Sequence, residues 1–225
     1  MKYFYETHMH TSEGSGCGRS TAAEQVHAYK NRGYQGIIVT DHFINGNSSC
    51  PKNNKMQWKR KMEYVISGYF AAKAEGDRIG LDVFLGWEYT IRGSDFLTYG
   101  LDFDFLLAHP GLGRLEISEY STLVRENGGF LAQAHPYRDR LYIENKLPAE
   151  PQYLDAVEVY NASDDSSSNN KALAYAKKHD LPFLAGGDSH SVEHQASGII
   201  LDSPAKTIFD IINAIKDKKV DLILH

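Results

Sequence analysis

An α/β fold with its strands in one closed or nearly closed parallel barrel is the architecture this sequence predicts, and three observations carry the prediction. Short apolar runs alternate with amphipathic stretches through all 225 residues, the strand-helix-strand order of right-handed parallel crossovers. There are about seven such runs, enough to curl a sheet towards closure. Five of them are followed within one to three residues by His, Asp or Glu, and barrels of this kind draw their reactive groups from the C-terminal ends of different strands. A chain of this length commonly forms one α/β domain, so residues 1–225 are read as a single domain.

The elements follow in order. Tyr3 to Glu6 is aromatic-rich and strand-like and runs into His8-Met9-His10. A helix starts near Thr21: Thr21 and Glu24 have capping-box spacing, Val26 and Tyr29 share a face, and Gly33 is the stop. Gly36 to Thr40 is a buried strand ending in Asp41-His42. A helix from about Lys55 to Glu75 carries the stripe Trp58, Met62, Val65, Ile66, Tyr69 and Phe70, closed by Gly76. Asp82 to Trp87 is the third strand, ending in Glu88, and Phe96 to Tyr99 is a short fourth. Ser118 to Asn127 is helical until Gly128-Gly129 breaks it. Phe130 to Ala134 ends in His135-Pro136, and Ala156 to Tyr160 ends in Asn161. A helix over Asn170 to His179 precedes Pro182 to Ala185, which leads into Gly186-Gly187-Asp188-Ser189-His190. A strand (Gly198 to Leu201), a helix (Thr207 to Lys218) and Val220 to Leu224 complete the chain.

A net charge of −5 argues against a broad basic face for long nucleic acids, while leaving room for a locally positive pocket around metal ions. No apolar run reaches the length of a membrane span. The N-terminus lacks the apolar stretch of a signal peptide, and two cysteines, Cys17 and Cys50, do not make a disulfide framework, so a reducing cytoplasm is the expected compartment.

Among the ten histidines, placement decides. His8 and His10 are two apart, so an extended strand points both at one face, where two imidazoles can share a Zn²⁺, Fe²⁺ or Mn²⁺ ion. Asp188 and His190 repeat that spacing behind two glycines that let the backbone come close to a buried site. Glu88 follows an apolar strand, where an unpaired carboxylate is costly; a carboxylate can also bridge two ions. His42 and His135 gain weight only from agreement with these clusters. Asp95 precedes the fourth strand and could complete a second metal position, and His109, in the loop before Pro110, is a further candidate. His27 and His179 read as solvated. Arg19, Arg92 and Arg138 are candidate anion-binding groups; Arg138 is the best placed, because a guanidinium fork matches phosphate oxygens, and Arg92 reads rather as a surface charge. Asn161 and His194 join Arg19 and Arg138 as candidate substrate-binding residues. The polar loop 45–54 and the segment 164–169 read as mouth or rim segments, the first a candidate lid.

His8-Met9-His10, Thr40-Asp41-His42, Gly86-Trp87-Glu88, Ala134-His135-Pro136 and Gly187-Asp188-Ser189-His190, in that order, resemble the PHP (polymerase and histidinol phosphatase) superfamily from about residue 3 to residue 200. The resemblance implies a distorted seven-stranded (β/α) TIM-like barrel with two or three divalent ions (Zn, Mn or Fe). It implies His8, His10, Glu88 and Asp188 around one ion, Glu88 bridging to a second held also by His135, and His42 and His190 on the third. Two positions depart from the pattern. Where relatives place an aspartate or histidine for the third ion this chain has Ser15, with Glu13 or Cys17 as substitutes. Where relatives place a histidine before the fourth strand it has Asp95, which leaves Asp95 or His109 for the second ion.

The expected activity is hydrolysis of a small phosphomonoester such as a nucleotide or histidinol phosphate. In it His190 or His42 would pass the leaving group's proton and Arg138 would stabilise phosphate oxygens. The competing readings are a phosphodiesterase or exonuclease on short oligonucleotides, an amidohydrolase-like deaminase, and a non-catalytic metal-binding module. The oligomeric state is not legible.

Overall fold

The computed structural model describes residues 1–53, 55–141, 143 and 147–225. Asn54, the end of the expected lid loop, lies outside them. Within them nine strands and seven α-helices alternate: β1 (Tyr3–Met9), α1 (Ala22–Asn31), β2 (Gly36–Val39), α2 (Trp58–Val65), α3 (Ser67–Ile79), β3 (Asp82–Ile91), β4 (Ser94–Tyr99), α4 (Phe103–Ala108), α5 (Ile117–Glu126), β5 (Phe130–Gln133), β6 (Ala156–Asn161), α6 (Ser166–Lys178), β7 (Phe183–Gly186), β8 (Gly198–Leu201), α7 (Ile208–Lys216) and β9 (Asp221–Ile223). The strands form one sheet in the order β7-β6-β5-β4-β3-β2-β1-β8-β9.

That sheet is α/β and nearly closed, but it is not a plain seven-fold repeat. β1, β2 and β3 run parallel, as do β5, β6 and β7. β4 is antiparallel to both its neighbours, and β8 and β9 add antiparallel strands on the outer edge of β1. The reversal at β4 has a local cause: Arg92 and Gly93 alone link Ile91 to Ser94, with φ of 51° and 83°. Two central residues at positive φ make the tight hairpin turn that suits strand twist.

Closure comes where β1 meets the chain after β7. Met9 bridges Ser189 in parallel fashion, His10 N donates to Ser189 O at 2.8 Å, and Thr7 Oγ1 donates to Ala185 O at 2.6 Å. Buried Glu6 secures the seam. Its carboxylate accepts from Thr7 N, His8 N, Gly187 N, Tyr29 Oη and Ser197 N, although burial pushes its pKa up to about 7.

The helices pack outside. The Thr21–Glu24 capping box starts α1 as its spacing predicts. The helix expected over 55–75 is instead two, broken at Ile66 (φ −104°, ψ 10°), where the Ser67 hydroxyl donates to the carbonyls of Tyr64 and Glu13. Gly76 does not close α3. It lies inside the helix, where a Cβ would meet Leu81 O at 2.6 Å, and Gly80, at φ 74°, forms the left-handed cap. Segment 164–169 also differs from its expected rim loop: Asp165 N-caps α6, and residues 166–169 are its first turn. α7 buries Ile211, Ile212 and Ile215 with Tyr5, Tyr99, Phe130 and Ile199. No helix among the described residues is long and apolar enough to cross a membrane.

Candidate metal centre

The parallel strands deliver their ends to one rim of the barrel. β1 supplies His8 and His10, the chain after β2 supplies Asp41 and His42, that after β5 supplies His135, and that after β7 supplies Asp188 and His190. Glu88 reaches the same place from the middle of the long β3, opposite His42. Antiparallel β4 contributes from its start, so Asp95 pairs across from Thr90 and its carbonyl accepts from Ala134 N at 3.0 Å.

These groups converge. His8 Nε2 lies 3.2 Å from His10 Nε2, 3.3 Å from Glu88 Oε1 and 3.5 Å from Asp188 Oδ1. His10 Nε2 is 3.3 Å from Asp188 Oδ1. His135 Nε2 is 3.3 Å from Glu88 Oε1 and 3.8 Å from Asp95 Oδ2. His42 Nδ1 is 2.8 Å from Glu88 Oε2. Ligand-type atoms within 4.8 Å of one another fall into four overlapping sets: His8/His10/Asp188, His8/Glu88/His135, His42/Glu88/Asp95 and His10/His42/His190. Glu88 belongs to two of them. All eight candidate metal-ligating residues therefore meet in one place.

The hydrogen bonds behind these atoms test whether the residues fit a cation. His8 Nδ1 faces Glu158 Oε1 at 3.0 Å, so Nδ1 carries the proton and Nε2 is left bare. Ser15 Oγ donates to Asp41 Oδ1 at 2.7 Å and so accepts from His10 Nδ1 at 3.0 Å, which leaves His10 Nε2 bare as well. Two imidazole lone pairs then oppose each other across 3.2 Å, an arrangement that needs a cation, proton or metal, between them. His42 Nδ1 and Glu88 Oε2 face each other at 2.8 Å as an ion-pair contact and have no other hydrogen-bond partner. The residues fit divalent ions of the kind that accept mixed imidazole and carboxylate ligands.

Charge follows the same geometry. Without a metal that cation is a proton on His8: burial pushes its pKa down, but Asp188, Glu158 and Glu88 outweigh it and hold the imidazole well above its usual range. Burial with the neighbouring His190 and His42 drives His10 down to about 3. Burial would raise Glu88 and Asp188, yet His42 and His8 hold Glu88 well below the carboxylate range, and His8 and Arg138 do so for Asp188. Burial and the adjacent Glu88 push Asp95 up to about 6.

The backbone is strained here. His135 (φ 28°) and Asp188 (φ 48°) sit in the left-handed region, which costs about 1–3 kcal/mol each for such residues. Glu158 holds the first by accepting from His135 N at 2.9 Å. The Asp188 carbonyl is gripped by His190 Nδ1 at 2.9 Å and Ser163 Oγ at 3.3 Å. The preceding glycines leave no room for side chains: a Cβ on Gly186 would lie 2.5 Å from Glu158 Oε1, and one on Gly187 would lie 2.6 Å from Glu6 Oε2.

A cavity of about 640 Å³ opens over the centre, lined by Cys17, His42, Asn47, Thr90, Arg138 and His190 among others. Several expected residues have other work. His109 donates Nδ1 to Phe105 O in its own helix and joins none of the ligand sets, whereas Asp95 joins one. Both Glu13 carboxylate oxygens accept from Ala22 N at the start of α1, and Glu13 joins none of the ligand sets. Arg138 lines the cavity with its fork committed, Nε to Asp164 at 2.7 Å and Nη2 to Asp188 at 2.7 Å and Asn161 at 3.1 Å. Asn161 is wholly buried, its amide shared by Glu158, Asp188 and Arg138, behind the residues that line the cavity. Arg19 is exposed and lies outside the cavity wall. Arg92 pairs on the surface with Glu116 at 3.0 Å. His194 accepts from His190 N at 3.2 Å but lines a separate surface hollow with Phe4 and Arg32. The expected lid is pinned: Gly16 N donates to Asn47 O at 2.7 Å and Ser49 N to Gly14 O at 2.9 Å.

Sequence reasoning missed Glu158 and the Asp41–Ser15 relay. A carboxylate inside the apolar run Ala156-Val157-Glu158-Val159 is the signal for the first, since a buried acid must be paired.

A PHP-associated family model matches residues 166–220. No curated protein matches the chain. Among solved structures, a two-domain protein from Bacteroides vulgatus containing a predicted PHP-like metal-dependent phosphoesterase matches with TM-score 0.73 at 14% identity, over 100% of this chain and 65% of its own length. A candidate metal-dependent phosphoesterase from Bifidobacterium adolescentis matches with TM-score 0.59 at 15% identity, over 97% of each chain. An amidohydrolase from Chromobacterium violaceum, with bound sulfate and no metal, matches with TM-score 0.59 at 15% identity, over 93% of this chain and 96% of its own. The family-model match is confined to residues 166–220, and the PHP-like neighbours share the fold at 14–15% identity.

Proposed function

We propose that the chain is a metal-dependent phosphoesterase that hydrolyses a small phosphomonoester. The observation that carries this reading is the pair of bare imidazole nitrogens, His8 Nε2 and His10 Nε2, facing each other within a ring of carboxylates below an open cavity. In this reading His8, His10 and Asp188 hold one ion, Glu88 is shared, Asp95 and His135 complete a second position, and His42 and His190 belong to a third. Divalent ions bound there would lower the pKa of water and neutralise phosphate charge.

The chain's own groups do the rest. Glu158 and Ser15 fix the tautomers of His8 and His10 so that each presents Nε2. His190 and His42 stand on the cavity wall, where either can hand a proton to a departing alkoxide. Arg138 orients Asp188 and adds positive charge beside the cavity, a role its committed fork supports better than a direct grip on phosphate. A cavity of about 640 Å³ suits a small molecule. The two free cysteines accord with a reducing cytoplasm as the compartment.

The test is a substrate panel of mononucleotides, histidinol phosphate, sugar phosphates, dinucleotides and an amide, run with Zn²⁺, Mn²⁺ and Fe²⁺. Phosphomonoester turnover that chelation abolishes and metal restores is expected. Turnover of dinucleotides or amides alone, or activity surviving full demetallation, refutes the reading.

A further inference from the structure

Helix α1 supplies none of the ligand sets, yet it and its flanks grip the chain that does. Arg19 N donates to His190 O at 2.7 Å, Val192 N to Ser20 Oγ at 3.1 Å and Arg32 Nη2 to His194 O at 3.2 Å. One side chain of the helix reaches further. Gln25 is wholly buried; its Nε2 donates to His10 O at 3.2 Å and lies 3.4 Å from both Ser189 O and Ser189 Oγ.

Those partners stand at the seam of the barrel. Ser189 lies between Asp188 and His190, with His10 N donating to Ser189 O at 2.8 Å and Ser189 N to His8 O at 3.3 Å. The His8/His10/Asp188 set spans this seam, so ligand pairs from distant parts of the chain keep their spacing only while the seam does. Among the described residues Gln25 is the one donor to the His10 carbonyl. Packing alone does not call for an amide here. Gln25 shares its buried face with Ala22, Val26 and Tyr29, which pack with Met9, Ile37, Val39 and Ala72. Its Oε1 is buried with no hydrogen-bond partner, a state that opposes folding. A methionine or leucine would fill the same space without an orphaned acceptor of its own.

Resting on the metal-dependent reading, we propose that Gln25 is a positioning residue for the His8/His10/Asp188 position: its amide ties the His10 carbonyl to the Ser189 segment and holds the two ligand pairs at the spacing one ion requires. It lies outside the cavity lining and acts through the backbone of its neighbours. Groups behind the ligands set ligand geometry and metal affinity in this way, and can do so against the stability of the fold. Replacing the amide by an apolar side chain exchanges one orphaned acceptor, Gln25 Oε1, for another, the His10 carbonyl. Stability should therefore barely change while metal affinity falls.

The test compares the chelator-treated full chain as wild type, Gln25→Met, Gln25→Leu and Val26→Ala. The readouts are chelator competition for Zn²⁺, the d–d absorption spectrum of bound Co²⁺ and the melting temperature without metal. Gln25→Met should melt within about 4 °C of wild type, bind Zn²⁺ about tenfold more weakly and show a shifted Co²⁺ spectrum, which reports ligand geometry. Gln25→Leu should do the same and serves if the methionine variant does not fold. Val26→Ala opens a cavity on the same buried face, so it should melt several degrees lower with wild-type Zn²⁺ affinity and Co²⁺ spectrum. A folded Gln25 variant with Zn²⁺ affinity within about twofold of wild type and an unchanged Co²⁺ spectrum overturns the positioning role and leaves the proposed function standing. An equal affinity loss in Val26→Ala also overturns it, as an effect of loosening the core, and so does failure of both Gln25 variants to fold. A wild-type chain that takes up no ion overturns the proposed function as well.

Discussion

Glu158→Gln should weaken metal binding while leaving the barrel folded. All three partners of the Glu158 carboxylate are donors: His8 Nδ1 at 3.0 Å, His135 N at 2.9 Å and Asn161 Nδ2 at 2.9 Å. A carboxylate accepts at both oxygens; an amide accepts at one and donates at the other. If the glutamine oxygen keeps His135 N and Asn161, its NH₂ meets His8 Nδ1. The imidazole must then move its proton to Nε2, the nitrogen that faces His10, Glu88 and Asp188. Loss of such an orienting partner typically costs 10–100-fold in metal affinity, about 1.4–2.8 kcal/mol. Chelator competition with Zn²⁺ measures it, and circular dichroism checks the fold. A folded Glu158→Gln chain that binds Zn²⁺ as tightly as wild type would refute the reasoning.

Three further outcomes follow from the same contacts. The raised His8 pKa implies native proton uptake by the metal-free chain, so its stability is full below the unfolded value of about 6.5 and falls as pH rises through the shifted one. Thermal unfolding from about pH 6 to about pH 9 should show that decline without metal and a much smaller one with Zn²⁺; identical curves would contradict it. Gly68→Ala would place a Cβ about 2 Å from Thr11 Oγ1 and Asp41 Oδ2, so denaturant titration should show a loss of about 1–3 kcal/mol. At about pH 8 Glu6→Gln turns an amide donor towards the donors that hold the seam, for a loss of about 1–3 kcal/mol by the same assay; wild-type stability would show that the seam tolerates a donor.

Much of the centre was legible because its ligands follow apolar runs. His8, His10, His42, His135, Asp188 and His190 stand at or just beyond parallel strand ends, where neighbouring hydrophobic residues mark them. Glu88 was legible for the same reason, although its strand runs on to Ile91. What escaped depended on contacts distant in sequence. The orientation of β4 turned on two residues, Arg92 and Gly93, of which only the glycine is an ordinary turn signal. The break at Ile66 and the buried Gly76 answer to Glu13 and Leu81, which no helical period reveals. The commitment of Arg138 to Asp164 and Asp188 depends on how three strand ends meet. Ser15 in place of an expected carboxylate was visible as a substitution, but its relay to Asp41 required the fold.

The most direct measurement is the number of divalent ions retained per chain after reconstitution and desalting, in wild type and in Glu88→Gln. The account predicts about two to three ions in wild type and a loss of more than one in Glu88→Gln, because a bridging carboxylate serves two ions. Fewer than one ion per wild-type chain, or unchanged metal content in Glu88→Gln, would contradict a shared multi-ion centre.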